Sequence, residues 1–173
     1  MKLLSSILLA ASVAAAPQEA QAVPPVGPDA SACAAGAGPA VRADISGLKD
    51  RTGRLKLELY PANETDFLKD DHDLRAEGKV FRRVWASMPA DGPVALCIKV
   101  PQPGRYALFF THDRDGRNKF DFWKDGAGLP SNARLGRSRP KVGQAIVDVG
   151  RGVTTTRIQA QYLRGLSGFG PVK

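Results

Sequence analysis

Residues 53–60 read GRLKLELY, and their alternation decides the fold class. Leu55, Leu57 and Leu59 fall on one side of an extended chain, and Arg54, Lys56 and Glu58 on the other. That is the period of a half-buried strand. The same signal recurs on both sides. VRADIS (41–46) alternates weakly, and KVFRRVWASM (79–88) is rich in β-branched and aromatic residues, which places Trp85 in a strand and in the core. In PVALCIKV (93–100), Val94, Leu96, Ile98 and Val100 share one face, which leaves Cys97 on the other with Ala95 and Lys99. In GRYALFFTHD (104–113), Tyr106, Leu108 and Phe110 share one face while Ala107, Phe109 and Thr111 share the other. QAIVDV (144–149) and TTTRIQAQYL (154–163) complete about seven short strands bounded by Gly, Pro, Asn and Asp. The expected fold is all-β, an antiparallel β-sandwich and not a series of βαβ units.

One stretch interrupts the strands. NETDFLKDDHDLRAEGK (63–79) is long, polar and acidic, and Asn63 or Thr65 is placed to cap a short helical turn that carries Phe67 and Leu68 to the rim of the core.

The ends are read from composition. Residues 1–22 have a basic start at Lys2, an apolar run from Leu3 to Ala16, and small residues at Ala20 and Ala22. This is the pattern of a cleaved secretory signal, too short and too Ala-rich for a good transmembrane span. The mature protein is therefore expected to be periplasmic or secreted, with no transmembrane segment. Residues 23–40 are Pro, Gly and Ala with few large side chains, a flexible leader. The sandwich is expected over 41–164, and the Gly-rich residues 165–173 are expected to fray. In an oxidising compartment the only two cysteines, Cys33 and Cys97, are expected to form a disulfide that ties the leader across the outside of the 93–100 strand.

The order of features resembles a family of small exported bacterial proteins catalogued as domain of unknown function 2141. The resemblance covers about Val41 to Leu163. It rests on ISGLKDRTGRLKLELY, on PQPGRYALFFTHDRDGRNKFD and on GLPSNA, with Gly104, Tyr106, Ala107, His112, Asp113, Asp115, Gly116, Asn118 and Asp121 in the matching positions. Gly128 to Asn132 lack the aromatic residue usual in the later family segment. The resemblance implies a transthyretin-like or immunoglobulin-like sandwich and export. It brings no catalytic residues.

HDRDGRNKFDF (112–122) is the stretch with the most chemistry. Asp113, Asp115, Asn118 and Asp121 offer four oxygen-bearing side chains within nine residues, and Gly116 allows a turn, a set that suits calcium. Against that, aligning Gly116 with the glycine of an EF-hand loop leaves Phe122 where a bidentate Glu belongs, and Arg114, Arg117 and Lys119 bring positive charge. A plain hairpin turn is the competing reading, and the preferred one. His72 and His112 lie far apart and are too few for a zinc site, so both are expected on the surface or at the rim. Trp123 is the better candidate for an exposed aromatic.

The formal charge of +8 admits an anionic partner. Export argues against nucleic acid. Arg134, Arg137, Arg139 and Lys141 form a basic run broken by Gly and Pro, a candidate for binding anionic polymer or lipid. The preferred function is a non-enzymatic envelope module with an unidentified ligand and calcium as the one candidate cofactor. The alternatives are the anionic-surface binder and a metal-assisted or carboxylate-based hydrolase.

Overall fold

The computed structural model describes residues 23–35 and 37–172. The signal sequence expected at 1–22 lies outside the described residues.

Among the described residues, ten strands form two sheets. They are β1 (Ala40–Ser46), β2 (Arg54–Pro61), β3 (Arg82–Ser87), β4 (Val94–Lys99), β5 (Gly104–Asp113), β6 (Gly126–Gly128), β7 (Ile146–Val149), β8 (Val153–Gln159), β9 (Gln161–Leu163) and β10 (Phe169–Pro171). The small sheet has the order β4-β1-β8 and the large one β10-β9-β6-β5-β2-β3. Strands β6 and β7 divide the remaining edge of β5, since Phe110 to His112 pair with β6 and Gly104 to Ala107 with β7. The all-β class and the two-sheet arrangement are as expected, with three more strands than the sequence suggested. Pairing is antiparallel throughout the named strands except between β1 and β8. The exception has a simple origin. After β7 the chain passes to the other sheet through Gly150–Gly152, and so enters β8 running beside β1 in the same direction.

The core between the sheets is built from the alternating residues. Val41, Ala43 and Ile45 of β1 and Val94, Leu96 and Ile98 of β4 meet Leu55, Leu57 and Leu59 of β2 and Tyr106, Leu108 and Phe110 of β5. Each fully buried leucine stabilises the fold by about 1.5–3 kcal/mol relative to exposure. A second apolar cluster lies on the far side of the large sheet, where Tyr60, Phe81, Ala107 and Phe109 are covered by Phe67, Leu74, Leu129, Ala145 and Phe169. The covering residues come from the connections, which is why β2 is buried on both faces. Arg54, Lys56 and Glu58 point away from the core as expected, yet Lys56 and Glu58 are only 6% and 3% exposed. Trp85 is likewise not between the sheets. It lies half-buried opposite Lys56, with the Arg54 guanidinium 4.0 Å over its ring.

Three segments depart from the sequence reading. The helix α1 runs Asp71–Ala76, later than expected, because Asp70 accepts from the His72 amide and caps it. Asn63 instead closes a turn, accepting from Asp66 N through its side chain and from Phe67 N through its carbonyl. The tail expected to fray from 165 is attached over its described part, since Phe169–Pro171 pair with β9 and Phe169 is buried against Phe120 and Phe122. The leader is joined to the domain as well. Val26 bridges to Leu96, Asp29 pairs with Arg82 and accepts from Lys99 N, and Cys33 is bonded to Cys97. Cys97 does face away from the core, and the leader crosses that face.

Candidate functional site

The loop from Arg114 to Lys124 joins β5 to β6, and strand pairing fixes its ends, because His112 stands opposite Gly126. That places Asp113, the last residue of β5, close to Asp125, the residue before β6. Gly126 is required for packing, since a Cβ there would lie 2.5 Å from the Tyr162 ring.

Side chains then gather the loop inward. Asp125 accepts from Arg114 N through one oxygen at 2.9 Å and from Asp121 N through the other at 2.8 Å. One oxygen of Asp113 accepts from Arg54 Nε at 2.9 Å and Asn118 N at 3.3 Å. Asp115 accepts from Arg117 N at 3.1 Å, and Asp121 from Trp123 N at 2.9 Å. Asn118 holds φ +66°, the left-handed conformation that Asn tolerates better than most residues. Arg114 extends outward to pair with Asp50 and donates to the Lys124 carbonyl at 2.9 Å.

Three carboxylates converge as a result. Asp113, Asp115 and Asp125 each offer an oxygen within 4.8 Å of the others. Asp113 is 2% exposed, and its Oδ1 is buried with no hydrogen-bond partner; Asp115 Oδ2 is buried in the same condition. The nearest cations to Asp115 Oδ2 are Arg117 Nε and Lys124 Nζ, both at 3.5 Å. Burial pushes the Asp125 carboxyl above its ordinary range, and the charges of Asp113 and Asp115 push it further. Burial acts the same way on Asp115, but the Arg117 amide and the Arg117 and Lys124 charges outweigh it and hold that carboxyl below its ordinary value.

Two of the four residues expected from the sequence, Asp113 and Asp115, are in the cluster. Asp121 lies outside it and receives the Trp123 amide, while Asn118 stands in the same loop with its amide on Asp113. Asp125 was not anticipated. Its signal was its place before GAG (126–128): if the loop closes a hairpin, the residue there returns beside Asp113.

His112 is completely buried, not at the rim. Its Nε2 lies 2.7 Å from the Thr52 carbonyl and its Nδ1 2.7 Å from the Tyr162 hydroxyl. His72, by contrast, is exposed. Arg134, Arg137, Arg139 and Lys141 follow one another across the outside of the large sheet. Arg134 donates to the Ser167 carbonyl at 3.3 Å and Arg139 to the Phe67 carbonyl at 2.6 Å. Arg137 and Arg139 border a cavity of about 220 Å³ whose walls include Phe109, Phe120, Phe122 and Phe169. Trp123 is exposed, as expected. No helix among the described residues is long and apolar enough to cross a membrane.

A family model described as an uncharacterized protein conserved in bacteria (DUF2141) matches residues 43–157. That span runs from β1 into β8 and contains the whole carboxylate loop. No curated protein and no solved structure matches the chain.

Proposed function

We propose, for a chain that belongs to the DUF2141 family of uncharacterized bacterial proteins, a non-enzymatic binding module of the bacterial envelope whose 113–125 loop is clamped by a calcium ion. The observation that carries this is the Asp113 Oδ1 atom, buried without a partner beside two more carboxylates. A buried charged oxygen left unpaired is costly, and a cation removes that cost. Oxygens within 4.8 Å of one another fit around one ion with bonds of about 2.4 Å. The donors are all oxygen, which favours calcium over zinc or copper. Arg54, Arg117 and Lys124 neutralise part of the cluster and so set the affinity on the weak side, within the range of extracellular calcium modules.

Binding is favoured over catalysis by what surrounds the loop. Both ring nitrogens of His112 are engaged in the fold, both cysteines are bonded to each other, and the adjacent cavity is walled by phenylalanine and rimmed by arginine. The test is a calorimetric calcium titration of the chain from Val23, with a melting curve alongside. Saturable heat and a raised Tm, both lost in Asp125→Ala, are expected. No heat at millimolar calcium and an unchanged Tm would end this reading. Fractionation of cells, with N-terminal sequencing of the product, tests the envelope location.

A further inference from the structure

We propose that the tips of the 119–125 loop and of the β9–β10 hairpin together form a face that docks on an anionic lipid bilayer, with Trp123 and Leu166 entering the headgroup region. This deepens the envelope-module reading by naming its partner, and it rests on that reading of the loop as a presenting element, though not on the calcium ion itself.

Trp123 is 80% exposed and Leu166 is 88% exposed, more than any other large apolar side chain described. They belong to different connections, yet both line one groove with Phe122, Arg137 and Leu163. Isolated exposed apolar residues are ordinary, but two that stand this clear of the surface beside one groove mark an interaction site. Trp in particular suits a boundary where one side is apolar and the other wet.

Contacts beneath the two tips tie their backbones to the domain. The Trp123 ring meets Phe122 edge-on at 5.9 Å, Phe122 meets Phe169 at 5.0 Å, and Phe169 meets Phe120 at 5.9 Å. This aromatic series leads from the tip down into the cluster on the outer face of the large sheet. The Trp123 amide is held by Asp121. The hairpin is closed by Arg164 N donating to Gly168 O at 2.9 Å, and Gly136 and Phe169 exchange backbone hydrogen bonds across to the basic loop.

Charge selects the partner. Arg134, Arg137, Arg139 and Arg164 border this end, and among the described residues none has a carboxylate within 4 Å. Where these guanidiniums do bond, they bond to carbonyls: Arg134 to Ser167, Arg139 to Phe67 and Arg164 to Pro171. Among the described residues, no carboxylate competes with anionic headgroups for Arg134, Arg137 and Arg139. Of the acids near this end, Asp115 and Asp121 are engaged with Arg117 and Lys124, and Glu64 accepts from Val142 N at 3.0 Å. Protruding apolar tips ringed by uncompensated arginines are the chemistry of peripheral attachment to an acidic bilayer.

The test is sedimentation of the chain from Val23, which carries every element described, with vesicles of phosphatidylcholine alone or containing phosphatidylglycerol, in millimolar calcium and in chelator. Binding to the phosphatidylglycerol vesicles is expected, weakening steeply with salt, with a blue shift of tryptophan emission that Trp123→Phe removes. The double variant Trp123→Ser, Leu166→Ser, at positions too exposed to support the fold, should lower the apparent affinity by about tenfold or more. Three outcomes overturn the proposal: no binding to the acidic vesicles, binding unchanged in the double variant, or salt-sensitive binding to a soluble polyanion such as polyglutamate that matches the vesicle binding. Calcium titration without vesicles separates the two readings. Saturable calcium heat with no vesicle binding removes the lipid face and leaves the calcium loop. Vesicle binding in chelator that needs Trp123 and Leu166, together with no calcium heat in the titration, does the reverse.

Discussion

The His112 ring ties β5 to β9 across the end of the large sheet, with Nδ1 2.7 Å from the Tyr162 hydroxyl. The Thr52 carbonyl at Nε2 can only accept, so Nε2 carries the proton and Nδ1 receives the Tyr162 hydroxyl hydrogen. Tyr162 in turn accepts from Lys49 N at 3.0 Å. Burial pushes the phenol up to about 12, so it stays a donor at any ordinary pH.

This arrangement predicts an acid-sensitive contact. Burial lowers the His112 pKa below its ordinary value, although the Thr52 carbonyl acts the other way. The unfolded chain therefore takes up the proton first as pH falls, and protonation of folded His112 would set Nδ1–H against the Tyr162 hydroxyl hydrogen. The contribution to stability is complete above about pH 6.5, the unfolded value, and is lost as pH falls from there through the lower folded value. Melting curves at intervals between neutral pH and pH 5 should show this decline. In His112→Gln the part of it due to this ring should disappear.

Glu58 predicts a larger effect. It is buried between Arg83 Nε at 2.7 Å and Lys56 Nζ at 3.2 Å, and Arg83 also reaches Asp71 of α1 at 3.2 Å. Removing the carboxylate leaves Lys56 charged and almost without water. Glu58→Ala should cost about 3–5 kcal/mol, as expected when one partner of a buried pair is lost. Denaturant unfolding measures it. Replacing Lys56 by Met in the same chain should recover a substantial part, and if it does not, the network is not what holds this face.

These residues show what the sequence could and could not convey. Alternation in β2 identifies the face of Leu55, Leu57 and Leu59, and it does so because a strand has period two. It says nothing about whether the other face is covered. Lys56 and Glu58 look solvated until Trp85 and Arg83 of β3, the latter tied to Asp71 of α1, are brought against them. For His112 the information was present, since it shares the parity of Tyr106, Leu108 and Phe110, the core-facing residues. Asp125 is different again: it becomes a partner of Asp113 only through the pairing of β5 with β6, a non-local event. Phe169 was hidden by its glycine-rich surroundings, and only its burial against Phe120 and Phe122 makes a strand of 169–171.

The disulfide predicts how the leader is retained. Cys33 and Cys97 are 64 residues apart, and in the chain-entropy model closing such a loop stabilises the fold by about 4 kcal/mol. Reduction, or the Cys33→Ala, Cys97→Ala double variant, should lower Tm by a corresponding amount. Residues 23–35 would then be held mainly by the Val26 bridge and the Asp29 contacts, so limited proteolysis should cut there first. Unchanged proteolysis after reduction would mean that those contacts suffice.

Asp125 gives calcium binding a definite pH dependence. Burial and the neighbouring Asp113 and Asp115 charges raise its folded pKa, so without calcium its proton is bound more tightly in the folded chain than in the unfolded one. That contribution to stability is complete below about pH 3.9, the unfolded value, and is lost as pH rises through the folded value. Calcium must therefore displace this proton wherever Asp125 is protonated. Affinity should weaken as pH falls toward the folded value, and the observed heat there should vary with the ionisation enthalpy of the buffer. At neutral pH, calcium at a hundred times its Kd should stabilise the fold by about 2.7 kcal/mol, seen as a rise in Tm. Asp113→Ala and Asp125→Ala should each abolish that rise. Asp121→Ala should weaken it only, because Asp121 is not among the converging carboxylates and acts by receiving the Trp123 amide. If Asp121→Ala proves as severe as Asp125→Ala, the ion is held by the loop as the sequence first suggested and not by the three carboxylates that the pairing of β5 and β6 brings together.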